Sequence, residues 1–110
     1  MLAAVEAEGQ MSRGTQRERA VRDWLADRDW LVTRAAGSFG CADLVALRSG
    51  DRPWLVEVKS TAGGPYERFG PADRKRLSLA ARMAGADALL AWWPPRGKLR
   101  WIAEAEWPCK

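Results

Sequence analysis

The sequence has no histidine in 110 residues. That absence excludes Ser-His-Asp and Cys-His catalysis, histidine-based nuclease chemistry and any zinc site that needs an imidazole. Cysteine is almost missing as well. Cys41 and Cys109 are too few for a disulfide framework or a Cys-only zinc site, which points to a reducing, cytoplasmic setting. No apolar run approaches the roughly 18 residues needed to cross a bilayer. Residues 1–10 carry acids where a signal peptide would be basic, so no membrane partner is expected. There is no internal repeat, low-complexity tract or interdomain linker. The chemistry left to such a chain is that of carboxylates, lysine, hydroxyls and a metal ion they would hold.

The residues that are present describe one small globular domain. Hydrophobic residues make up 47% and charged residues 29%, enough apolar material for a core and too much for disorder. Lys and Arg number 18 against 14 Asp and Glu, a formal net charge of +4. Four of the acids (Glu6, Glu8, Glu104, Glu106) sit near the ends, so the middle of the chain is more basic than the total. Arginine outnumbers lysine, which suits bidentate phosphate contacts and makes nucleic acid the leading partner class. A solvated basic face, or the codon bias of a GC-rich genome, is the competing reading.

Periodicity predicts the element order helix, three strands, helix, two strands. Residues 14–28 carry Val21, Trp24, Leu25 and Arg28 at helical spacing. Strands follow over 30–36, 42–48 and 53–59, the last two joined by the turn Ser49-Gly50-Asp51-Arg52. After a Gly-rich loop at 61–70, Pro71 suits the first turn of a second helix with Leu77, Ala80, Ala81 and Ala84 facing inward and Gly85 as its stop. Strands at 86–93 and 98–103 complete a minimal α/β domain. The boundaries are a lead-in at 1–12, one domain at 13–104 and a tail at 105–110.

Four charged residues break this pattern. Asp43 opens an apolar strand, and Glu57 and Lys59 interrupt Leu55-Val56-Glu57-Val58-Lys59 on one strand face. Reflection about Gly50 sets position 43 against position 57, which brings the two carboxylates within about 5–8 Å. Two carboxylates so close repel unless a cation lies between them, and a hard divalent ion takes such oxygen ligands. A lysine beside that ion positions the attacking water and offsets charge on a phosphate. A purely structural ion pair of Lys59 with either acid is the alternative. Glu18 lies three residues before Val21 and seven before Leu25, on the sheet-facing stripe, unless it caps a helix that starts late. Its neighbour Arg19 projects toward the edge of the same cleft. Ser38, in Gly37-Ser38-Phe39-Gly40, brings a hydroxyl just ahead of Asp43, as an ordinary turn serine also would.

The blocks Gly14-x-x-x-Glu18-Arg19, Arg34-Ala35-Ala36-Gly37-Ser38, Asp43-Leu44-Val45-Ala46 and Glu57-Val58-Lys59-Ser60 resemble, in order, those of the archaeal-type Holliday junction resolvases, members of the PD-(D/E)xK nuclease superfamily. The resemblance implies a restriction-endonuclease-like α/β core, a central mixed sheet flanked by helices. It also implies a homodimeric, metal-dependent endonuclease that cuts four-way (Holliday) DNA junctions symmetrically and leaves a 5′-phosphate. By the same resemblance Asp43, Glu57 and the Val58 carbonyl hold Mg²⁺, with Mn²⁺ as a substitute. Glu18 completes the acidic cluster, Lys59 orients the hydrolytic water and Ser38 supports cleavage. Arg19 and Arg34 match basic residues near the scissile phosphate. Ala42 stands where the superfamily has its name-giving proline. Asp73-Arg74-Lys75-Arg76 stands where a glutamine is often found on the second helix.

The expected DNA contacts are therefore Arg13, Arg19, Arg34, Arg68, Arg74 and Lys75, the last two with solvated charge as the alternative. Seven tryptophans remain for packing, a dimer interface or base stacking. Cys41 reads as a buried thiol beside the serine loop. A flap, fork or mismatch nuclease shares the same chemistry, and a catalytically silent DNA-structure-binding module is the reading from another class. The setting is cytoplasmic, on the nucleoid or in a virus-infected cell.

Overall fold

Apolar alternation and one glycine build the centre of the fold. Strands β2 (Leu44–Leu47) and β3 (Trp54–Lys59) form an antiparallel hairpin whose turn contains Gly50, at a φ of 84° that only glycine adopts without strain. Leu44 pairs with Val56 and Ala46 with Trp54, the register that reflection about Gly50 predicts. The computed structural model describes residues 13–35 and 42–109, with the backbone alone of Arg13. The expectations for the 1–12 lead-in, the Arg13 side chain, Ser38 and its loop, and Cys41 lie outside the described residues.

Around the hairpin, helix α1 (Arg13–Ala26) leads into β1 (Leu31–Arg34), and helix α2 (Pro71–Ala84) joins β3 to β4 (Asp87–Trp92) and β5 (Arg100–Ala103). The five strands lie in chain order. Only β3 and β4 are parallel, and a parallel pair requires a crossover, which α2 supplies. Helix α1 ends at Ala26, before Arg28, because Asp29 turns the chain at a φ of 71°. Gly85 stops α2 in the left-handed conformation, its N–H donating to the Ala81 and Arg82 carbonyls.

The helices cover opposite faces of the sheet. Val21 and Leu25 of α1 are fully buried with Trp30, Leu44, Ala46, Val56 and Ala91. Leu77 and Ala81 of α2 are buried with Leu55, Phe69, Ala88, Leu90 and Ile102. Each buried Val or Leu of these stripes is worth about 1.5–3 kcal/mol. Ala84, expected inside, is exposed, because the Gly85 turn lifts the last residue of α2 off the sheet. Past the 3₁₀ turn Glu104–Glu106, Trp107 packs edge-on against Phe69 and its indole N–H donates to the Ile102 carbonyl. The packed chain thus continues beyond residue 104.

None of the seven tryptophans is exposed. Trp24, Trp30, Trp54 and Trp101 form a chain of rings with centroids 4.4 to 5.3 Å apart. Trp92 and Trp93 pack against different faces of the sheet, as alternation predicts.

Arg74, expected among the DNA contacts, packs largely inside the domain. It is 7% exposed; its guanidinium donates to the Phe69 carbonyl at 2.6 Å and lies 5.4 Å from the Tyr66 ring centroid. The charge run 74–76 hides this role because the loop before α2 folds back over the helix's first turn. Removing a hydrogen bond from a buried charged group costs about 2 kcal/mol. Arg74→Ala should lower urea-denaturation stability by that amount, whereas exposed Lys75→Ala should stay within about 0.5 kcal/mol of the parent.

Candidate active site

The acidic pair forms where the hairpin ladder ends. Regular pairing stops at Leu44 and Val56, and the Asp43 N–H donates to the Val56 carbonyl at 2.9 Å. Two residues further along β3, no β2 residue is left to accept the Val58 N–H. The Asp43 carboxylate takes that place, with its Oδ2 accepting the Val58 N–H at 2.8 Å. On the other side of β3, β4 pairs with Glu57, Val58 and Lys59 through Leu90, Ala91 and Trp92, so the strand carrying them is held from both edges.

Glu57 and Lys59 share a strand face, and the Lys59 ammonium lies 3.1 Å from Glu57 Oε2. Burial, then the neighbouring charge of Asp43, pushes the Glu57 carboxyl up to about 7; the Lys59 cation opposes both. Asp73, in the first turn of α2, adds to that rise. The sequence shows Asp73 only as part of the charged run 73–76 on the second helix, and its approach to Glu57 depends on the crossover. Asp43 is also raised, chiefly by burial and further by Glu18, against the Val58 hydrogen bond and the charges of Lys59 and Arg34. Two carboxylates are therefore held partly out of water and against each other.

Glu18 reaches this end of the sheet from α1, as its place on the apolar stripe predicts. Its charge acts on Asp43, yet its Oε1 accepts from Arg34 Nε at 2.6 Å. Arg34 is the last residue of β1, directly opposite Leu44. Exposed Arg19 joins Thr15, Glu18, Arg22, Arg34 and Leu44 around a small recess of about 50 Å³. Among the described residues, no three carboxylate or thiol side chains converge as a ready metal cage.

Lys59 also borders a second depression of about 260 Å³, shared with Gly14, Val58, Ser60, Thr61 and the expected contact Arg68. The Thr61 carbonyl is held by the Trp92 indole N–H at 2.9 Å, and the Gly63 N–H donates to Glu67 at 2.7 Å, which fixes the loop that carries exposed Arg68. Ser60 has its hydroxyl buried with no partner among the described residues. Larger depressions, of about 470 and 500 Å³, run along α2 and the 103–109 segment. Of the expected site residues only Arg74 and Lys75 line them, so size does not mark the site here.

A sequence profile of archaeal Holliday junction resolvases (Hjc) matches residues 9–106. The solved structure of Archaeoglobus fulgidus Hjc, a Holliday junction resolvase from an archaeal hyperthermophile, superposes with a TM-score of 0.72 at 30% identity, over 86% of this chain and 75% of that one. No curated protein matches the chain in sequence. The profile match takes in both helices, all five strands and every residue of the acidic end, and on that ground the chain belongs to the archaeal Holliday junction resolvase family.

Proposed function

We propose that this protein is a metal-dependent endonuclease that resolves four-way DNA junctions by paired, symmetric phosphodiester hydrolysis. The observation that carries the reading is the Asp43–Glu57 pair, two half-buried carboxylates with raised pKa values, beside Lys59 on a central strand. Membership of the family supports the substrate.

The donor set fits a small hard cation. Magnesium is commonly bound by one or two carboxylates together with water and substrate phosphate, and two carboxylates that burial drives toward neutrality gain most from such an ion. Asp43 and Glu57 would hold Mg²⁺, or Mn²⁺ in its place, with the Val58 carbonyl and Glu18 as further ligands. When bound, the ion supplies Lewis-acid polarisation of the phosphate and acidifies water. The Lys59 ammonium orients the attacking water and offsets charge that grows on the phosphate and the leaving oxygen. In-line attack breaks the P–O3′ bond and leaves a 5′-phosphate and a 3′-hydroxyl. Ser38 is assigned to support of cleavage. Arg13, Arg19, Arg34, Arg68 and Lys75 are assigned to backbone phosphates, which fits recognition of junction shape rather than base edges.

A junction needs two symmetric nicks, which a two-fold dimer delivers from two sites. On the outer face of α2, Leu79 is 50% and Met83 81% exposed, one helical turn apart. This apolar pair is the surface we assign to the dimer.

Cleavage of a labelled four-way junction in Mg²⁺, with linear duplex, flap and EDTA controls, tests the reading. Paired junction nicks with duplex intact are expected, and Glu57→Ala should lower the rate ~10²–10³-fold, of the order expected for loss of a key electrostatic group, while junction binding persists. Preferential flap cutting would move the substrate; metal-independent binding without cutting would leave a binding module.

Glu57 also gives a pH signature. Its folded pKa of about 7 lies above the ordinary 4.5, so folding favours the protonated acid. This contribution to stability is complete below 4.5 and is lost as pH rises to about 7. In EDTA, Tm should fall across that window, Mg²⁺ should restore it at neutral pH, and Glu57→Gln should flatten most of the slope. A slope unchanged by Glu57→Gln would count against the assignment.

The dimer surface is checked separately. Leu79→Glu combined with Met83→Glu should give a monomer by sedimentation at micromolar concentration and abolish paired nicking. A dimer that survives both charges would place the interface elsewhere.

A further inference from the structure

Two residues expected to act on different partners are bound to each other. Glu18 is expected in the acidic cluster and Arg34 on a DNA phosphate, yet Arg34 Nε donates to Glu18 Oε1 at 2.6 Å. Glu18 is 18% exposed and Arg34 55%, so the cation reaches solvent while the carboxylate faces inward. Through its pairing with Leu44, Arg34 stands next to Asp43, and both members of the pair act on the Asp43 carboxyl, with opposite signs. The recess beside them is bounded by Thr15 and three arginines, Arg19, Arg22 and Arg34, with Glu18 in its wall and Asp23 3.8 Å from Arg22 Nε. Its volume, about 50 Å³, is on the scale of a small anion.

We propose that Arg34 is an exchange residue: a DNA backbone phosphate entering this recess takes the guanidinium from Glu18, and the released Glu18 carboxylate turns to the Asp43–Glu57 pair and its divalent cation. The inference rests on the nuclease reading and adds an order of assembly to it. A guanidinium fork satisfies a phosphate as well as a carboxylate, so Arg34 stays paired throughout. The phosphodiester brings one negative charge, and the exchange delivers one uncompensated negative charge, that of Glu18, to the place where a cation is wanted. Without DNA the pair holds back the third carboxylate and the cation site is weak. With DNA the third ligand arrives together with the phosphate to be cut. Both ligands favour the opened pair, so each tightens binding of the other by the same factor.

Mn²⁺ serves as the metal probe, because its free concentration is read directly by electron paramagnetic resonance, and a fluorescent four-way junction serves as the DNA probe. The ion pair is partly exposed, so neither Arg34→Gln nor Glu18→Gln should unfold the chain. Arg34→Gln is expected to tighten Mn²⁺ binding about 5-fold or more without DNA, the scale of ordinary coupling between sites. Glu18→Gln is expected to tighten junction binding in EDTA by a similar factor. The deciding result is the double-mutant cycle: in the Glu18→Gln background Arg34→Gln should no longer change Mn²⁺ affinity. An equal change in both backgrounds would reduce Arg34 to a long-range charge and overturn the exchange, as would a junction affinity unmoved by Glu18→Gln. Parent protein that binds both probes independently sinks the exchange alone. Parent protein that binds neither sinks the nuclease reading with it.

Discussion

Strand β2 begins at Leu44, one residue after Asp43, and the Val58 N–H that this leaves beside β3 is taken up by the Asp43 carboxylate. Most of the acidic end follows from this substitution of a side chain for a strand. It fixes Asp43 where its charge meets that of Glu57, and it draws the carboxylate into a setting where burial outweighs the hydrogen bond and raises its pKa. It also needs a rigid β3, which the parallel β4 on the far edge provides. A carboxylate pair built in this way is under electrostatic pressure toward protons or a cation, and Lys59 relieves only part of it.

Two groups stand out among the arginines. Arg17 lies over Trp93 and donates to the Pro94 and Pro95 carbonyls; Arg28 lies over Trp24, Arg48 over Trp30, and Arg74 near Tyr66. These cations rest on aromatic faces within the domain: Arg17 ties α1 to the segment after β4, Arg48 ties the β2–β3 turn to the segment before β1, and Arg74 ties α2 to the loop before it. Arg19, Arg22 and Arg34 instead gather around a recess near the acidic pair, and Arg68 stands at the depression beyond Lys59. Net charge alone thus overstates the surface available to nucleic acid. The abundance of tryptophan has the same explanation, since the rings serve as platforms within the domain.

The two helices perform different tasks for one edge of the sheet. Helix α1 buries Val21 and Leu25 and thereby aims Glu18 at the end of β2. Helix α2 makes the parallel crossover and sets Asp73 near Glu57, while its outer face keeps Leu79 and Met83 in solvent. Carboxylates from both layers of the sandwich therefore act on the acidic pair, Glu18 on Asp43 and Asp73 on Glu57.

Local rules made much of this legible. The period-2 alternation around Gly50 was enough for the hairpin register, and hence for the meeting of Asp43 with Glu57 and Lys59, because a tight turn leaves little freedom in pairing. Glycine at position 85 marked the end of α2, and helical spacing set Glu18 toward the sheet. The burial of Arg74, the approach of Asp73 to Glu57 and the pairing of Glu18 with Arg34 came only from the tertiary structure. Each depends on a partner brought close by the fold from another element or a folded-back loop. Periodicity states which way a side chain points; what it meets there is decided by how the layers close, and in this protein that separates a structural arginine from one placed beside the acidic pair.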